Sequence, residues 1–238
     1  MKRILVLAAH IGDFVWRSGG TLAKYAEAGA QIKLIVLSYG LRGESNEYWK
    51  QEGATVEAGK AIRHAEGAAA AKILGISDLE VLDFDDYPLE IDRERMLQLA
   101  EKIRRFAPDI ILTHDRERDI YNADHTLVGE KIQHICSIAC AKGINLSNTP
   151  VIKRPAIYGF EPHVSEICHF MPQVYVDITG VMEKKKQAME AYATQKQMYA
   201  AYINRCRLRG LQTGISGCEY AEAFSYRSPV THQPLLID

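Results

Sequence analysis

The chain has 238 residues, 47% of them hydrophobic, so it can bury a full core as one α/β domain or two small ones. Its formal net charge of −1 gives no electrostatic reason to expect nucleic acid or a membrane surface as a partner. The five cysteines are odd in number and scattered, which predicts free thiols in a reducing cytoplasm rather than a disulfide framework.

The first half of the chain alternates strand and helix patterns. Short apolar runs predict strands at residues 3–8, 31–38, 79–84 and 109–113. Helical patterns and their end signals predict helices at residues 14–28, 54–74, 93–106 and 124–141. Four β-α units in series predict an α/β fold, a Rossmann-like parallel sheet with helices on both faces.

The last third of the chain follows a different pattern. It predicts strands at residues 155–160 and 173–178, a long helix at 182–205 and an irregular tail from 207. No linker composition interrupts the chain, so we expect residues 1–238 to form a single domain with this C-terminal elaboration. The N-terminal apolar run is too short for a signal peptide or a membrane span, and we expect the protein in the cytoplasm.

The strand ends carry the candidate chemistry. His10 follows the first strand and Asp13 comes three residues later, while His125 begins the helix after the fourth strand. Ligands bind at the carboxyl ends of the strands in open α/β sheets, and strands one and four are neighbours in the usual order. Two imidazoles and one carboxylate with open positions suit a catalytic divalent metal. Each residue alone also fits a structural role, as a strand-end or helix-start side chain. Residues 10–13 read His-Ile-Gly-Asp where a dinucleotide-binding fold would need G-x-G-x-x-G, so we expect no nucleotide cofactor.

These motifs resemble the PIG-L (LmbE-like) N-acetylglucosaminyl deacetylase family over residues 3–224. The shared features are A-H-x-x-D-x(5)-G-G at 9–20, R-x-x-E at 63–66, the Thr113-His114 strand end, x-x-D-H at 122–125 and Y-A-E-A-F at 220–224. The resemblance implies a Rossmann-like zinc protein with His10, Asp13 and His125 as metal ligands. Zn²⁺ is the expected ion, and another divalent metal is possible.

Two departures from the family pattern bear on the reaction. The family's general-base aspartate is Gly12 here, and a histidine that helps to stabilise the oxyanion is Asn122. General acid-base catalysis contributes about 10²–10⁴-fold and an oxyanion donor about 10²–10³-fold, so deacetylation should be strongly impaired.

Residues 10–20 and 37–45 resemble the subgroup that hydrates 4-oxalomesaconate, also drawn as 4-carboxy-2-hydroxymuconate, in gallate and protocatechuate breakdown. This implies a metal-dependent hydratase of an unsaturated oxo-tricarboxylate that forms 4-carboxy-4-hydroxy-2-oxoadipate. Two alternatives remain: a zinc-dependent deacetylase with Glu44 as replacement base, and an inactive metal-binding relative.

Hydration of a polycarboxylate needs an acid, a base and carboxylate-binding groups. We expect Glu44 and His163 to form the acid-base pair, with Glu47, Glu166 and His114 in reserve; either member could activate water. Glu44 could instead pair with Arg42, and His163 could be a surface residue. The expected substrate-binding residues are Arg17, Arg42, Arg118 and Asn122, with Arg116 nearby. The expected partner is a small molecule, and we predict a homo-oligomer, as relatives often form.

Overall fold

A seven-stranded sheet organises this computed structural model, which describes residues 1–117 and 119–227. Its strands are β1 Arg3–His10, β2 Gln31–Ser38, β3 Asp78–Val81, β4 Ile110–His114, β5 Ala156–Phe160, β6 Val174–Asp177 and β7 Ala221–Tyr226. They lie in the order β3-β2-β1-β4-β5-β7-β6. Pairing is parallel from β3 through β5, whereas β7 runs antiparallel to both β5 and β6. The predicted adjacency of the first and fourth strands is confirmed.

Helices cover both faces of the sheet, as predicted. They are α1 Asp13–Glu27, α2 Leu41–Glu44, α3 Asn46–Trp49, α4 Val56–Ile73, α5 Arg93–Phe106, α6 Ala123–Cys140, α7 Met182–Glu190 and α8 Tyr199–Gln212. Short 3-10 segments occupy Thr179–Val181 and Ala193–Met198. One apolar cluster packs α1, α4, α7 and α8 on one face, and the second packs α5 and α6 on the other.

Strand β1 lies inside the sheet, between β2 and β4, and is apolar on both faces. Ile4, Val6 and Ala8 belong to one cluster, and the alternate residues Leu5 and Leu7 belong to the other. A strand buried on both faces reads as a continuous apolar run, which is why the sequence predicts it well.

Two predictions for the last third of the chain were wrong. The long helix expected at 182–205 is divided into α7, the Ala193–Met198 segment and α8. The tail expected to be irregular completes α8 and then forms β7. The sequence pattern does not predict this strand, because Glu222 places a carboxylate between two alanines, which is not typical of a buried strand. Residues 228–238 of that tail lie outside the described residues. Among the helices of the described ranges, none combines the length and apolar character needed to cross a bilayer.

Candidate metal centre and active site

Two turns at neighbouring strand ends position the histidines. β1 ends at His10, whose backbone N–H donates to Asp13 Oδ2 at 2.7 Å. After β4, Asn122 caps α6 by accepting a hydrogen bond on Oδ1 from the His125 backbone N–H at 3.2 Å. The register of β1 beside β4 therefore brings residues more than a hundred positions apart to one edge of the sheet.

Four side chains converge at this edge with the composition of a metal site. One ligand atom from each of His10, Asp13, Glu44 and His125 lies within 4.8 Å of all the others. His10 Nδ1 is 3.1 Å from His125 Nε2, and His125 Nε2 is 3.2 Å from Asp13 Oδ1. The structure thus brings the three predicted ligands together and adds the Glu44 carboxylate, whose Oε1 is 3.1 Å from His10 Nδ1.

The outer nitrogens of both imidazoles are bonded to carboxylates. His10 Nε2 lies 3.0 Å from Asp124 Oδ2, and His125 Nδ1 lies 3.1 Å from Asp119 Oδ2. If each outer nitrogen donates its proton, the inner nitrogens face each other as acceptors and require a cation or a proton between them. Metal-bound histidines are usually held in this way, so the residues present fit a divalent cation.

The charge balance of the site also fits a cation. Asp13, Glu44, Asp119 and Asp124 surround the imidazoles, and Arg17 is the cation that contacts Asp13 and Asp119. Burial alone raises the pKa of the Glu44 carboxyl, but the neighbouring His10 outweighs it and holds that pKa well below its usual value. Burial lowers the pKa of His125, whereas Asp13 and Asp119 raise it, with a net rise to about 9. The site therefore attracts positive charge strongly.

A cavity of about 340 Å³ opens beside the cluster. Residues from six parts of the chain, most of them polar or aromatic, line it: Asp13, Trp16, Gly43, Glu44, Asn46, Tyr87, Tyr121, Asn122, His163, Val164, Gln195, Gln197 and Met198. The predicted residues Glu44, Asn122 and His163 thus meet around one space.

Glu44 lines this cavity together with Asp13, and its carboxylate is held from two sides. Its Oε1 accepts a hydrogen bond from Asn122 Nδ2 at 3.0 Å, and its Oε2 accepts one from Gln195 Nε2 at 3.3 Å. Helix α2 reaches this position by passing close to His10. A Cβ on Gly40, whose φ is +61°, would lie 2.9 Å from the His10 Cβ, so both the backbone conformation and the space require glycine.

His163 follows β5 and lines the cavity, and one of its ring nitrogens is hydrogen-bonded to Tyr202. Its Nδ1 is 2.8 Å from the Tyr202 hydroxyl, and its ring centroid lies 5.7 Å from that of His125. Burial, together with the Arg17 guanidinium, lowers the pKa of His163 to about 3, so the imidazole is neutral. Burial raises the pKa of Tyr202 to about 12, so the hydroxyl keeps its proton.

The predicted arginines are distributed differently. Arg17 is buried and donates to the Glu161 carbonyl at 2.7 Å, and its Nη2 lies 3.0 Å from His125 Nδ1, below the imidazoles rather than in the cavity. Arg42 pairs with Asp85 at 2.8 Å and lines an adjoining cavity, which shares Tyr87 with the first. Arg116 is exposed beside Glu117, and Arg118 lies outside the described residues.

The reserve candidates are placed away from the cavity lining. His114 is buried, and its Nε2 accepts a hydrogen bond from the Ala9 backbone N–H at 3.0 Å. Burial and the neighbouring His125 lower the pKa of His114 to about 3. Glu47 pairs with Lys50 at 2.5 Å, and Glu166 is exposed.

Sequence reasoning missed three groups that shape the site. Asp119 and Asp124 precede His125 by six residues and one residue, and that proximity could have identified them as carboxylates that orient the imidazoles. Gln195 carried no such signal, because it lies inside the stretch expected to be one uninterrupted helix.

The chain is similar in sequence and in fold to known proteins. Residues 5–136 match the family model described as GlcNAc-PI de-N-acetylase, PIG-L. A 4-oxalmesaconate hydratase of Pseudomonas putida is 38% identical over 211 residues, covering 89% of this chain and 81% of that protein. A diacetylchitobiose deacetylase of Thermococcus kodakarensis is 27% identical, covering 95% of this chain and 83% of that protein. The crystal structure of GalB, the 4-carboxy-2-hydroxymuconate hydratase from Pseudomonas putida, superposes with a TM-score of 0.93 at 36% identity, covering 99% of this chain and 100% of the other.

Proposed function

This chain belongs to the PIG-L family, and we propose that within that family it is a metal-dependent hydratase of an unsaturated oxo-tricarboxylate, 4-oxalomesaconate or its enol form, 4-carboxy-2-hydroxymuconate. The observation that carries the proposal is the meeting of Glu44 and His163 around one cavity beside the four-residue cluster. Position 12 supplies no carboxylate for amide hydrolysis, whereas hydration needs the acid and base that this cavity offers.

His10, Asp13 and His125 would hold the divalent cation, which we propose to be zinc. Such a cation, when bound, supplies a Lewis acid for the oxygens of the oxo-acid. The outer carboxylates Asp119 and Asp124 keep the imidazoles oriented for that purpose.

The protonation states of Glu44 and His163 support our proposal for the two remaining roles. Glu44 is ionised and can only accept, so it takes the proton of the attacking water. His163 is neutral, and it delivers its Nε2 proton to the carbon while its Nδ1 takes up the proton of the Tyr202 hydroxyl, 2.8 Å away. The proton taken by Glu44 returns through solvent to the Tyr202 oxygen before the next turnover. One proton is taken and one is given, so hydroxyl and hydrogen add across the C=C bond as one water.

The first test follows the loss of conjugated absorbance of 4-carboxy-2-hydroxymuconate with metal-loaded protein, with and without a chelator. We expect a hydrated oxoadipate product, abolition by the chelator and recovery on adding Zn²⁺. Glu44→Gln and His163→Gln should each lower kcat by about 10²–10⁴-fold, because each removes one proton-transfer group. Glu52→Gln, at an exposed glutamate, is the matched control.

Two other outcomes would contradict the hydratase proposal. Release of acetate from N-acetylglucosamine conjugates, with no change in the diene, would replace this proposal by deacetylation. Absence of both activities in protein shown to contain metal would favour the inactive relative.

A further inference from the structure

Gln195 has an amide whose orientation is determined by its neighbours. Its Oε1 accepts hydrogen bonds from Arg63 Nη1 at 3.0 Å and from Trp16 Nε1 at 3.2 Å. Neither donor group can accept a hydrogen bond, so the carbonyl oxygen must face them. The amide nitrogen is then left to donate to Glu44 Oε2, at 3.3 Å.

Thr194, the residue before Gln195, is hydrogen-bonded to two buried side chains of α4. Arg63 is fully buried, and its Nη1 also donates to Thr194 Oγ1 at 2.9 Å. Glu66 accepts from both the backbone N–H and the hydroxyl of Thr194, at 2.9 and 2.6 Å. Gln195 itself has a non-helical backbone, with φ −131° and ψ 29°, which interrupts the helical path here.

Gly12 provides the space for this amide. Its φ of −84° and ψ of −24° suit any residue, so its conformation does not require glycine. Its surroundings do, because a Cβ at position 12 would lie 2.6 Å from Gln195 Oε1 and 2.9 Å from Trp16 Nε1. The amide therefore occupies the volume that any side chain at position 12 would need.

We infer that Gln195 is a positioning residue that holds the Glu44 carboxylate for catalysis, and that glycine at position 12 is the gap that admits it. The catalytic part of this inference rests on the proposed hydratase function. The paired arrangement of Gln195 and Gly12 is independent of that function and can be tested without an assay.

Two variants separate positioning from a merely structural role. Gln195→Glu keeps an acceptor for Arg63 and Trp16 but replaces the donor to Glu44 by an oxygen, and Gln195→Met removes both. We expect both to lower kcat by about 10- to 100-fold, because misplacement of a reacting group by about 1 Å can cost that much, with KM changed less than about threefold. Gln98→Met, at an exposed glutamine of α5 on the other face of the sheet, should match the wild type.

Normal activity in Gln195→Glu, with loss only in Gln195→Met, would show a structural role and overturn the inference. A wild type without hydratase activity would instead reject the proposed function. In that case crystal structures of the wild type and Gln195→Met decide the matter, since a Glu44 carboxylate in the same place in both would contradict positioning.

A double-mutant cycle tests the pairing with Gly12. Overpacking at Gly12→Ala should lower the thermal unfolding midpoint by about 4 °C or more in the wild type, and by less than half as much in Gln195→Ala. Gly180→Ala is the control, because its new Cβ would meet nothing within 4 Å. Additive effects of Gly12→Ala and Gln195→Ala would contradict the pairing.

Discussion

At the scale of single residues, the site is organised by carboxylates that control two imidazoles. Asp124 holds His10 from outside, and Asp119 holds His125 in the same way. Without metal, protons are the cations available to the inner nitrogens, and the pKa values of both histidines rise accordingly. Metal binding and protonation therefore compete for the same lone pairs.

This competition predicts a pH dependence for the metal-free protein. The folded-state pKa of His125, about 9, is above its ordinary value of 6.5, so its stabilisation is complete below about pH 6.5 and is lost as the pH rises through 9. At about 1.4 kcal/mol per pH unit, the loss is on the order of 3 kcal/mol. Urea unfolding in a chelator at several pH values measures it.

Metal affinity should rise over the same window, because fewer protons then compete. His125→Asn should make the stability profile of the metal-free protein less steep, with the pH dependence due to His10 remaining. His134→Asn, at an exposed histidine of the same helix α6, should leave it unchanged. Stability that increases from pH 6.5 to 9 in the chelated wild type would contradict the prediction.

Much of this site could be anticipated because topology places strand ends together. The convergence of His10, Asp13 and His125 follows from two adjacent parallel strands, which the apolar runs predict. Side-chain direction does not follow from such patterns. Arg17 points beneath the imidazoles instead of into the cavity, and Gln195 enters the site from a break that no local signal marks.

At the scale of elements, a buried ion pair joins α1, α7 and β7. Lys185 Nζ donates to Glu222 Oε1 and also to the Trp16 carbonyl at 2.9 Å. The Glu222 carboxylate accepts from the backbone N–H groups of Gly20 and Thr21 at 2.9 and 2.7 Å. Burial lowers the pKa of Lys185, but contacts with groups including Glu222 outweigh it and raise that pKa.

Lys185→Met should destabilise the fold by about 3–5 kcal/mol, because it leaves the buried Glu222 carboxylate without its cation. Adding Glu222→Gln should recover part of that loss. The adjacent Lys184 offers a matched control, since its exposed pair with Glu27 should contribute less than about 1 kcal/mol. Urea unfolding measures all three variants; equal effects of Lys184→Met and Lys185→Met would contradict this role.

The same pair explains why the C-terminal elements were harder to predict than the first four units. The β1 to α6 units are apolar runs separated by ordinary helix ends, so local periodicity suffices. Strand β7 contains Glu222, which becomes suited to a core only through Lys185, thirty-seven residues away. Local pattern cannot show a partner at that distance.

At the scale of the whole molecule, the predicted homo-oligomer stays a prediction. Apolar side chains near the end of α8 are exposed, with Leu211 at 72% and Ile215 at 66%. Light scattering during size-exclusion chromatography should give a multiple of the 26.7 kDa chain mass. Leu211→Glu should lower that mass if this patch lies in the interface, and a wild-type mass of one chain would reject oligomerisation.

The antiparallel strand β7 has a consequence for synthesis on the ribosome. Strands β5 and β6 are synthesised before β7. They become part of one sheet only when residues 221–226 pair with both of them as β7. The residues of the metal cluster, in contrast, are complete once His125 has emerged. A ribosome that stalls before residue 221 therefore holds a chain in which all the cluster residues are present but the edges of β5 and β6 are open, and open strand edges favour aggregation.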